Sequence, residues 1–153
     1  MNVEDIKKKY YAELEMLDEE LQKLEAQKAS FLKSSEESAD ASKSFKLEME
    51  AVEVIYQATF NKYKNYKRFL SYVESVCDVI DMMNKQDSEA IKKDVEDITK
   101  IVEVARRISI NGIVPESDEE RLKACSMELY LSSKDMALVH KTNKQEEYKS
   151  LWD

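Results

Sequence analysis

The sequence predicts an all-α protein: an antiparallel helical bundle of about four helices, with a long coiled-coil hairpin arm formed by helices 1 and 2. Three observations carry this expectation. The chain has one Gly and one Pro in 153 residues, whereas ordinary usage is about 7% and 5%. Sheets, tight turns and phosphate-cradling loops draw on both residues. Apolar side chains recur at alternating spacings of four and three along long stretches, the pattern of a helix seam. Charged residues at 37% and hydrophobic ones at 42% suit helices with one buried stripe and one solvated face, and the chain is too apolar to stay unfolded.

The first helix is expected over about residues 2–33. Val3, Tyr10, Leu17, Leu24 and Phe31 repeat every seven residues, and Leu14 and Leu21 fill the alternate seam position. Lys7 and Lys28 occupy that same alternate position, so the stripe is narrow and suits a two-stranded contact. Ser34 to Ser44 then carries five serines and no large apolar residue. Serine competes with the helix for nearby backbone groups, so the segment reads as a polar turn.

The second helix has the clearest pattern. Phe45, Met49, Val52, Tyr56, Thr59, Tyr63, Tyr66, Leu70, Val73, Cys77 and Ile80 follow the seam without a miss, over about 54 Å at 1.5 Å per residue. Phe69, Val76, Val79 and Met83 widen the stripe in its second half, which implies more than one neighbour there.

The third helix is expected from Asp87 or Ser88 to Ile110, with Ile91, Val95, Ile98, Val102 and Ala105 as its seam and Ile101 and Ile108 beside it. Asn111-Gly112 predicts a C-terminal stop with Gly112 in the left-handed conformation. Ser117-Asp118-Glu119-Glu120 predicts a capping box opening the fourth helix, about 118–140. Its seam reads Leu122, Cys125, Leu129, Ser132, Met136 and Val139, with Ala124, Met127, Leu131 and Leu138 elsewhere on its circumference.

Matching helix lengths gives a single helical domain of residues 1–153. The bundle would use about 1–17 and 63–140, the arm about 18–62, and residues 141–153 would form a polar tail. The arm would extend roughly 25 Å.

Sites for chemistry are sought and not found: no catalytic, metal or cofactor residues are assigned. His140 is the one histidine, and the residue three before it is Ala137, so Glu-x-x-His metal pairs, zinc sites and Ser-His-Asp triads lack their partners. His140 reads as a solvated residue. Cys77 and Cys125 lie on seams and read as buried, reduced thiols. The net charge of −8 opposes general attraction to nucleic acid or anionic membranes. A basic segment holding Lys62, Lys64, Lys67 and Arg68, interleaved with Tyr63 and Tyr66, departs from that background. Because both tyrosines lie on the seam, it reads first as a packing belt and second as a nucleic-acid site. No apolar run approaches the ~18 residues of a membrane span, and the N-terminus has no signal-like apolar region, so a cytoplasmic location is expected.

The expected function is that of a non-enzymatic protein-interaction module: an adaptor, assembly factor or secretion-chaperone-like subunit. The alternatives are a self-associating structural coiled-coil subunit and a nucleic-acid-associated factor using 62–68. Candidate partner-binding residues are Leu131 and Leu138 on the fourth helix, Leu151 and Trp152 in the tail, and Ile55 and Phe60 as apolar edges of the arm. For Trp152 two outcomes stand side by side: partner contact, or packing back onto its own bundle.

Overall fold

A computed structural model describes residues 2–37, 43–86, 88–140 and 145–153. The fold is all-α as the patterning requires. Helices α1 (Val3–Glu37) and α2 (Lys43–Asn84) are followed by α3 (Glu89–Ser109), α4 (Glu116–Cys125), α5 (Met127–Ala137) and a 3₁₀ turn, Leu138–His140. Helices α1 and α2 pack closely as a hairpin. The chain forms two compact units, one of Met1–Tyr11 with Asn65–Asp153 and one of Ala12–Lys64.

The hairpin unit is built by one antiparallel seam. Contacts run in opposite order along the two helices: Tyr56 OH donates to Glu25 at 3.0 Å, Lys28 pairs with Glu53 at 2.6 Å, and the rings of Phe31 and Phe45 meet edge-on at 5.3 Å. Leu17, Leu21 and Val52 are buried. Leu24, Phe31, Phe45, Met49 and Tyr56 stay half-buried, because two helices alone cannot enclose a side chain from all directions. Ser34–Glu37 continue α1 and Lys43 opens α2, so the expected polar turn is shorter than 34–44. Its centre, 38–42, lies outside the described residues.

The larger unit holds the enclosed core. Tyr10 sits edge-on to Tyr66 at 5.6 Å and to Phe69 at 5.1 Å, and its hydroxyl lies 2.6 Å from Ser109 Oγ. Around them Ile6, Leu70, Val73, Val102, Val104, Ala105, Ile108, Leu122, Leu129 and Met136 are buried. Ile6 lies off the heptad columns of α1. Its burial reflects the several neighbours around this end of the helix, where more than one face is covered.

Three local expectations need correction. The fourth helix is two helices, broken at Ser126, whose extended backbone (φ −156°, ψ 105°) lets its hydroxyl accept from Leu129 N at 3.1 Å. Serine at an N-cap restores a bond that the break removes. Tyr130 OH donating to Glu119 at 2.6 Å then ties α5 back to α4. Second, the predicted capping box is not used. Pro115 precedes the first turn of α4, Ser117 is exposed, and the buried Asp118 serves the C-terminal segment instead. Third, the left-handed residue after α3 is Asn111 (φ 65°), not Gly112. Gly112 N bonds Arg107 O at 2.8 Å and Asn111 N bonds Ile108 O at 2.9 Å, a Schellman ending. Glycine is required there for space: a Cβ would stand 2.6 Å from the Tyr148 ring and 2.7 Å from Arg107 O. Ser88 caps α3 by backbone position without a side-chain bond, and Asp87 lies outside the described residues.

Candidate interaction surfaces

The face of α2 turned away from α1 in the hairpin unit is apolar in its own right. Leu47, Ala51, Val54 and Ala58 are all exposed. Their spacings of four, three and four repeat the seam pattern two residues out of phase, about 200° around the helix at ~100° per residue. Leu47 is 64% and Val54 68% accessible, with Ile55 beside them at 52%. The expected edge residue Phe60 differs: it is half-buried, stacked on Tyr56 at 6.1 Å and covered by Lys64 Nζ at 4.9 Å. The stripe itself was missed in the sequence because its alanines carry little hydrophobic weight. The out-of-phase repeat was the available signal.

In the larger unit, Met127, Leu131 and Leu138 are exposed and project from one side of α5 and the turn that continues it. Lys134 falls on the same side and interrupts the row. A groove of about 410 Å³ runs beside the break at Ser126, lined by Tyr72, Val76 and Val79 of α2, Ile98 of α3, and Cys125. Cys77 is buried as expected. Cys125 is exposed, because the seam of α4 does not continue through the break. Desolvation pushes the pKa of each thiol up, and at Cys77 the nearby Glu74, Glu4 and Asp81 add to the rise against Lys7, so neither is an activated nucleophile.

The C-terminal segment packs on its own unit. Ile113 N bonds Glu146 O and Tyr148 N bonds Ile113 O, each at 2.8 Å, giving one parallel β-bridge. Arg107 lies over the Tyr148 ring at 4.5 Å and donates to Lys149 O at 3.3 Å. Asp118 accepts from Ser150 Oγ at 2.6 Å and from Leu151 N at 3.2 Å. Trp152 Nε1 donates to Asp97 at 3.0 Å, with Arg121 over the indole at 4.3 Å. Leu151 and Trp152 are therefore half-buried, and contact with a partner would first require the segment to detach. Of the polar tail, 141–144 lies outside the described residues.

The basic segment divides between the units. Lys62 is half-buried in the hairpin unit. Within the larger unit, Lys67 is exposed and Arg68 pairs with Asp135 at 3.3 Å. Tyr66 is buried, so its face is committed to packing. His140 is half-buried rather than solvated. Its Nδ1 donates to Met136 O at 3.1 Å, which leaves Nε2, 3.3 Å from Tyr66 OH, as the acceptor in the neutral ring. Among the described residues there is no group of three His, Cys, Asp or Glu able to hold a metal ion, and no helix long and apolar enough to cross a membrane.

Glu103, like Asp118, is a buried carboxylate. It accepts from Arg106 at 2.6 Å and 2.9 Å and from Arg107 at 3.2 Å. Burial pushes its carboxyl up, but the two guanidinium groups outweigh that and hold it below the usual carboxylate range. Arg107 is thereby fixed where it meets Tyr148, so this triad supports the C-terminal segment. Comparison with protein-family models, curated proteins and solved structures finds no match to this chain.

Proposed function

We propose that this protein is a non-enzymatic protein-interaction module of the adaptor or assembly-factor kind, working by side-by-side helix packing. The supporting observation is the outer stripe of α2. A helix that carries apolar residues in heptad spacing on two opposite faces has surface for two neighbours, and α1 satisfies only one. Leu47 and Val54 are each about two-thirds accessible. Contact with a partner helix would withdraw them from water, at about 25 cal/mol per Å² of apolar surface. Helix-in-groove and helix-on-helix recognition draw on this kind of surface.

Site-specific photocrosslinking in cells tests the reading. A photoreactive side chain at position 47 or 54 is expected to give discrete covalent adducts, whereas one at the exposed Lys23 of α1 gives none. Equal background at all three positions would show that the stripe meets solvent only, and would sink the proposal.

A further inference from the structure

Resting on that reading, we infer that the helix packed on the α2 stripe is α2 of a second copy, antiparallel, about a two-fold axis midway between Val52 and Glu53. The order of residue sizes along the stripe carries the inference. Leu47, Ala51, Val54 and Ala58 read large, small, large, small, and all four are exposed. Turned end over end about that axis, the same row sets Leu47 against the partner's Ala58 and Ala51 against the partner's Val54. Each of the four layers then holds one large and one small side chain, so helices can approach closely at constant layer volume. In-register parallel pairing would instead give layers overfilled by two leucines or two valines, alternating with layers of two alanines.

The flanking positions agree with the same axis. Antiparallel helices bring like flanks together, so Glu50 comes beside the partner's Gln57 and Glu48 beside the partner's Ile55. No carboxylate faces a carboxylate. Gln57 is held by Glu53 through one amide hydrogen at 3.0 Å, which leaves the second to donate to the partner's Glu50. Ile55, 52% accessible and beside the stripe, gains cover in the dimer. The contact spans about three helical turns, roughly 16 Å. That is below a standard stable interface, so the dimer is a reversible one that forms as concentration rises.

The test is light scattering and sedimentation of the full chain between about 1 and 300 µM, with two sets of variants. Val54→Asp is expected to hold the protein monomeric throughout, with an unchanged far-ultraviolet spectrum because position 54 is exposed. In a Cys125→Ser background, a mixture of Ala51→Cys and Val54→Cys proteins is expected to form the mixed disulfide at least tenfold faster than either forms its own. A dimer unaffected by Val54→Asp, or equal rates for all disulfides, would overturn this arrangement. A wild-type monomer at every concentration, with heterologous crosslinks at 47 and 54, would overturn the self-pairing and leave the interaction role standing. A monomer with no crosslinks would overturn both.

Discussion

Replacing Trp152 with Ala tests whether the C-terminal segment is part of the fold. The indole is half-buried, its Nε1 bonds Asp97 at 3.0 Å, and Arg121 lies over the ring at 4.3 Å. Half-burial of such a side chain withdraws on the order of 100 Å² from water, about 2.5 kcal/mol at ~25 cal/mol per Å². That is an upper value, since an unfolded chain is already partly collapsed. The hydrogen bond and the cation–π contact add about 1 kcal/mol, and the rotamer freedom regained on release returns about the same. The net loss is therefore about 2 kcal/mol. For a chain of 153 residues, each kcal/mol moves the midpoint by roughly 2–4 °C, which gives a fall of about 4–8 °C. Calorimetry on wild type, Trp152→Ala and Trp152→Phe measures it. Phe keeps a ring under Arg121 but has no N–H, so it should recover about half of the loss. A shift below about 1 °C in the Ala variant would refute the reasoning and return Trp152 to the set of partner-binding candidates.

Two further outcomes follow from buried groups. Glu103→Gln should cost about 3 kcal/mol at neutral pH, because it leaves Arg106 and Arg107 without their carboxylate. Since the folded carboxyl is held low, its contribution is present above the unfolded value near 4.3 and is lost as pH falls through the folded value. Urea midpoints below about pH 4 should therefore fall less steeply in the variant, and parallel curves would contradict the assignment. For the thiols, a bulky maleimide should modify Cys125 in the native protein, faster at alkaline pH because desolvation raises that thiol, while Cys77 waits for unfolding. Equal labelling of both, or Cys77 first, would contradict the described burial.

The hairpin was legible because a seven-residue repeat is a local property: Leu17, Leu21 and Val52 are buried where the spacing places them. The candidate site was legible only in part. Ile55, Leu131 and Leu138 are exposed as expected, since none lies on a seam. Phe60 is not, because its cover comes from Tyr56 and Lys64 one turn to either side. The break at Ser126 was hidden because periodicity bridges it: Leu122 and Leu129 are both buried although they belong to different helices.

By itself the sequence determined the helical class, the α1–α2 seam and the stop after α3, all of which depend on residues within a few turns of one another. The tertiary structure decided the use of Asp118, Asp97, Arg107 and Gly112. Each of these meets a C-terminal segment some 30 to 55 positions away. A carboxylate in the first turn of a helix has the same local signature whether it caps its own backbone or accepts from a distant serine. Only the fold, by bringing the tail across α3 and α4, determines which donor reaches it.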